Sequence, residues 1–263
     1  MMNPIAREDK SSAIKIGFWV LWVTAVIFLW AYAIVVYPAN VQTSIIYILL
    51  GLFALILLIL DNQFNLDLVT RFKEKYFFDL PINLTTWENF QPSHILVGFL
   101  LLVGFLLFAF FSNSQLIGIP LAAASIQNEA PWVRLLFLGS VGIIENAVIA
   151  IFPMSMIAVY FTYLVTENLN LKKDTNVWYT YVVGVVLGSI VAGFIAVQYH
   201  GLVYAGQNTT LAGTFIFFFT VALVTGLLRD SFPADVFHSF FNVFIVALRI
   251  VPLAIAPIIF SII

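Results

Sequence analysis

Between Ile16 and Val36 no side chain carries a charge, and comparable apolar stretches recur to the end of the chain. About 20 such residues are what a helix needs to cross the roughly 30 Å hydrocarbon layer of a bilayer. The expected fold is therefore all-α, a polytopic transmembrane helical bundle whose first partner is membrane lipid. Composition agrees: of 263 residues, 62% are hydrophobic and 9% charged, against about 25% charged in a soluble domain. A net charge of −2 leaves no basic footprint for nucleic acid. The lack of cysteine rules out disulfides, thiol catalysis and iron–sulfur clusters.

Spans are expected at about 16–37, 43–60, 94–112, 177–199 and 211–228. Two further stretches are too long or too interrupted to be single straight crossings. Apolar sequence runs from Trp132 to Val165, with Arg134 near its start and Glu145, Asn146 and Pro153 inside. It reads as one tilted, Pro-kinked span or as a span plus a half-helix. The last stretch, 234–263, is broken by Arg249, Pro252 and Pro257 and holds a span plus a terminal half-helix. The sum is seven or eight crossings in a single integral membrane domain over 1–263. Segment 61–93, polar but carrying Phe72, Tyr76 and Trp87, is expected on the membrane surface. Lys and Arg occupy the N-terminal segment, 61–93, 167–176 and position 229, and are absent from 38–42, 113–130 and 201–210. That alternation puts the N-terminus in the cytoplasm. Gly184, Gly188 and Ala192 recur every four residues and form a stripe where a second helix packs closely.

Glu145 is the costliest residue in these stretches. A carboxylate at the centre of a transmembrane helix carries a penalty of about 2.5–3.5 kcal/mol on insertion scales, so it belongs in the bundle interior facing other polar groups. His200, His238, Asn242 and Arg249 are the chief ones available, with Asn146 beside it. His238 and Asn242, four apart, share a helix face. Asp235 lies one turn earlier, and Arg249 returns to nearly the same face. Asp235 and Arg249 stand about 21 Å apart along the axis. They therefore also read as markers of opposite interfaces, with Arg249 snorkelling outward. His200, near a span end, also reads as an interfacial residue.

One carboxylate and two imidazoles suffice for peptide-bond hydrolysis without a serine or cysteine nucleophile. The carboxylate serves as general base toward water, with an imidazole holding that water or protonating the leaving group. The second imidazole and an amide donate hydrogen bonds to the developing oxyanion. Glu145, His200 and His238 would equally serve as ligands of a divalent metal, and their spacing does not decide, so no cofactor is assigned. Simple alternation of spans places Glu145 in the outer half, His200 near the outer face and His238 close to the inner face. They meet only if spans are displaced or broken around a cavity.

Three short motifs carry a family resemblance. Phe237-His238-Ser239-Phe240-Phe241-Asn242 resembles the H-x-x-x-N motif of the CAAX-protease and bacteriocin-processing (CPBP) membrane family. Gly139 to Asn146, GSVGIIEN, resembles the glutamate–asparagine motif of the related PrsW-type proteases, and His200 to Gly206, HGLVYAG, is similar to the histidine motif between them. Order is preserved over about residues 115–250, the protease-like core. The family's paired glutamates followed by Arg or Lys have their nearest counterpart in Asn128-Glu129 with Arg134, so Glu129 joins Asn146 and Arg249 as a supporting residue.

The resemblance implies an intramembrane endopeptidase acting on membrane-associated peptides. Glu145 would be the base and His200 its partner, with His238 and Asn242 the oxyanion donors. The same superfamily includes a non-catalytic scaffold subunit of gamma-secretase, so an assembly subunit of this fold is the alternative. A transporter is the other; it would show two similar halves with paired broken helices, and no internal repeat is visible.

Overall fold

The structure, a computed structural model, describes residues 4–36, 38, 41–63, 92–113, 116, 130–169, 174–202, 204 and 206–250. All regular structure among them is helical. The elements are α1 (Pro4–Val36), α2 (Val41–Gln63), α3 (Ser93–Ser112), α4 (Pro131–Glu145), a π-helical segment (Asn146–Ile151), α5 (Phe152–Asn168), α6 (Asp174–Gly201), α7 (Asn208–Leu228) and α8 (Phe232–Ile250).

Among the described residues four stretches are long and apolar enough to cross a membrane: Ser93–Ser112, Leu135–Asn168, Val177–Gly201 and Asn208–Leu228. Their outward faces suit lipid. On α3, for example, Leu96, Leu100, Phe110 and Phe111 are 61–78% exposed. The chain is a helical membrane protein. The expected count of seven or eight crossings is not reached by this measure. Among the described residues the apolar parts of α1 and α2, Val20–Val36 and Val41–Ile56, are shorter. The surface segment expected at 61–93 lies almost wholly outside the described residues, as does the half-helix expected after Ile250.

Backbones approach closely wherever small residues permit it. The Gly184 stripe is a helix contact: a Cβ at Gly184 would come within 2.9 Å of the Ala158 backbone, and one at Gly188 within 2.6 Å of the Met154 carbonyl. This seats α6 on α5. Across the bundle, α8 runs along α4. A Cβ at Gly142 would sit 3.2 Å from the Ser239 nitrogen, so the small residue at Gly142 lets α8 approach. α1 and α2 form a hairpin closed by two side chains: Ser44 Oγ donates to the Ala33 carbonyl (2.6 Å) and Trp30 Nε1 to that of Ile48 (3.2 Å). α3 lies on α8, where its Phe105 packs edge-on against Phe217, Phe237 and Phe241.

The stretch that is too long for a straight crossing stays one continuous rod, and its irregularity is the π segment. Asn146 N–H is shared between the carbonyls of Gly142 and Ile143, and Phe152 N–H reaches back five residues to Ala147. Pro153 follows at once and has no N–H to donate, so the widened turn takes up a register that an α-helix cannot keep there. The π segment is the centre of the fold, in contact with α2, α6, α7 and α8.

Between α7 and α8 the chain turns in three residues. Arg229 adopts left-handed φ/ψ (55°, 38°) and ends α7. Asp230 then accepts the Phe232 N–H (3.0 Å) and starts α8. Asp230 and Ser231 are fully enclosed, and the Asp230 carboxylate pairs with His94 at the start of α3.

Candidate functional site

A cavity of about 90 Å³ lies where α1, α3 and α6 end and α2 and α7 begin. That volume holds several waters. Tyr32, Tyr47, Phe105, Glu145, Tyr199, His200, Phe218, His238 and Asn242 are among its walls. Among the described residues no Lys or Arg lines it, and the Glu145 carboxylate, 4% exposed, meets imidazole and phenol groups.

The α4–α8 contact assembles one wall as an antiparallel zipper. Asn242 Nδ2 donates to the Leu138 carbonyl (3.2 Å), and Ser239 Oγ to that of Gly139 (3.3 Å). One turn on, His238 Nδ1 stands 2.7 Å from Asn146 Oδ1, and Asn146 Nδ2 donates to Asp235 Oδ1 at 3.0 Å. On the cavity side, His238 Nε2 lies 3.6 Å from Glu145 Oε2. The other carboxylate oxygen accepts the Tyr199 hydroxyl at 3.2 Å. Five side chains from α4, the π segment, α6 and α8 thus form a chain from Asp235 to Tyr199. It is enclosed, and in a low-dielectric interior such a network is stabilising only when its members are satisfied.

His200 shares the cavity but stands apart from the carboxylate. Its Nδ1–H donates to the Ala196 carbonyl of its own helix (2.9 Å), which leaves Nε2 as the lone-pair nitrogen. Its ring packs against Tyr199, Tyr204 and Phe218. Phe218 also meets His238 edge-on, at 5.4 Å between centroids, so one phenyl ring touches both imidazoles.

The structure therefore brings Glu145, Asn146, His238 and Asn242 together and puts His200 on the same cavity. A meeting at one cavity is expected only where spans are displaced or broken around it, and α8 starts at a turn whose Asp230 and Ser231 are enclosed by protein. From Phe232 to His238 the helix climbs about 9 Å, and the His238 ring then meets Phe217 and Phe218 in the first half of α7. Asp235 is buried against Asn146 rather than marking an interface. Glu129 and the side chain of Arg249 lie outside the described residues. Among the described residues no group of three or more His, Asp or Glu is placed to hold a metal ion; Glu145, His200 and His238 do not form one.

Sequence reasoning missed the phenols. Tyr32 is fully buried on the cavity wall, and among the described residues its hydroxyl meets no hydrogen-bond partner. Tyr47 stands 5.3 Å from it, ring to ring. Tyr199 offered a signal, being next to His200 in the sequence. Tyr32 and Tyr47 offered none, since they lie on α1 and α2, far outside residues 115–250. No protein-family model, curated protein or solved structure matches the chain.

Proposed function

We propose that the chain is an intramembrane endopeptidase of the CPBP/PrsW type. It would cross the membrane seven or eight times from a cytoplasmic N-terminus and hydrolyse peptide bonds of membrane-associated substrates. The observation that carries the reading is the 3.6 Å approach of Glu145 Oε2 and His238 Nε2 on a cavity shared with His200 and Asn242.

In this reading a water in the cavity gives its proton to Glu145 as its oxygen bonds to the substrate carbonyl carbon. The C=O electron pair moves onto oxygen, where His238 and the second N–H of the Asn242 amide donate to it. As the C–N bond breaks, the leaving nitrogen takes the proton that water gave up. His200, whose Nδ1–H is spent on Ala196, accepts a hydrogen bond from the water at its Nε2 lone pair.

The second reading is a non-catalytic assembly subunit of the same fold. The test is cleavage of a broad panel of membrane-anchored peptides by the full chain in vesicles, with Glu145→Gln and His238→Ala beside it. The hydrolase reading expects cleavage by the unaltered chain alone. No cleavage of any peptide, or full activity in both variants, leaves the assembly reading.

A further inference from the structure

Asp235 belongs to none of the motifs that carry the resemblance, yet it starts the buried hydrogen bonds that run through Asn146 to His238, whose Nε2 lies 3.6 Å from Glu145. An ionised carboxylate only accepts hydrogen bonds, and an amide has one accepting and one donating end. With Asp235 Oδ1 taking Asn146 Nδ2–H (3.0 Å), the amide oxygen must face the other way, toward His238 Nδ1 (2.7 Å). That oxygen has no proton to give. His238 Nδ1 must therefore carry one, and neutral His238 then presents a bare lone pair at Nε2, the nitrogen 3.6 Å from Glu145.

We infer that Asp235 is a positioning residue that, through Asn146, fixes His238 in its Nδ1–H tautomer so that Nε2 keeps its lone pair toward Glu145. The tautomer follows from the hydrogen bonds alone. Its use in catalysis rests on the hydrolase reading. There, the proton that Glu145 takes from water passes to Nε2, making His238 a cation as the oxyanion forms. It donates to that oxygen and then releases the proton to the leaving nitrogen. Asp235, one amide away, faces the positive charge. Without this arrangement the amide turns over, Nε2 carries the proton at rest, and His238 has no acceptor for a second one. Second-sphere partners of this kind commonly select the tautomer of a working histidine.

The test needs no substrate. The chain has three histidines, so nitrogen-15 labelling of histidine in the full protein in lipid nanodiscs gives three ring systems, assigned with His94→Gln and His200→Gln. Long-range proton–nitrogen correlations then show which nitrogen of His238 is protonated. The expected result is Nδ1–H in the unaltered protein and a shift toward Nε2–H in Asp235→Asn, whose amide accepts either orientation of Asn146. Nε2–H in the unaltered protein, a measurement that depends on no variant folding, overturns the inference. So does an unchanged Nδ1–H signal in a folded Asp235→Asn. A confirmed tautomer in a protein that cleaves no peptide would sink the hydrolase reading and leave the positioning of His238 by Asp235 standing.

Discussion

The fold buries two pairings of carboxylate with imidazole, and they are put to different use. At the α7–α8 turn, Asp230 closes directly on His94 and takes the Phe232 N–H, tying the start of α3 to the start of α8. In the bundle interior, Glu145 and His238 stop 3.6 Å apart, and both border a cavity. His94 and Asp230 do not line it. The same two side-chain types thus make a fastener where they touch and a candidate reaction centre where they leave room for water. Burial of a polar residue does not separate the two cases; the space beside it does.

Glu145→Gln should give the largest contrast. It keeps shape and volume but cannot take a proton, so cleavage should fall by about 10²–10⁴-fold while the melting temperature stays close to that of the unaltered chain. Peptide cleavage and thermal melting in the same vesicles check both halves.

Gly142→Val would erode both regions at once. The added side chain meets the His238 and Ser239 backbone where even a Cβ is tight at 3.2 Å. Overpacking of this kind costs about 1–3 kcal/mol. Moving α8 off α4 should also lengthen the His238–Asn146 bond, so the fraction folded in denaturant and the cleavage rate per folded molecule should fall together.

His94→Ala should act on stability alone. It leaves a buried carboxylate short of a partner, a loss of about 1–3 kcal/mol, with cleavage per folded molecule unchanged. Burial raises the Asp230 carboxyl above its ordinary value of 3.8, while the Phe232 N–H and His94 pull the other way. The folded chain thus holds this proton more tightly than the unfolded chain does. The stability tied to it is full below 3.8 and is lost as pH rises through the higher folded value. Removing His94 takes away one of the groups that favour the ionised form, so melting temperature should fall more steeply with pH in the variant; an unchanged slope counts against the pairing.

The smallest stability effects concern phenols on the cavity. Tyr199→Phe deletes the hydroxyl that Glu145 accepts and should cost about 1 kcal/mol. Tyr32→Phe deletes a buried hydroxyl that has no partner among the described residues and should leave stability unchanged or raise it by up to about 1 kcal/mol. Calorimetry of the two side by side sharpens the distinction between a satisfied phenol and one held open toward the cavity.

What could be read from the sequence follows this same division. Apolar run length gave the helical membrane class, and four-residue spacing put His238 with Asn242 and Gly184 with Gly188 on shared faces. The cost of an intramembrane carboxylate singled out Glu145. His238 was legible as one candidate neighbour of Glu145, but their 3.6 Å approach was not, because it depends on how α8 packs on α4. Tyr32 and Tyr47 were not legible either, since nothing local to α1 or α2 marks a tyrosine as facing a cavity built by five other helices. Asp235 was visible on the right face, but its partner Asn146 is 89 residues away, and only the packing of α8 on α4 supplies it.

The most direct measurement compares the peptide-cleavage rates of Glu145→Gln and His94→Ala, each divided by the amount of folded protein in the vesicle. The account predicts a loss of at least about a hundredfold for Glu145→Gln and an unaltered rate for His94→Ala. Equal rates in the two variants, whether both intact or both reduced, would contradict it.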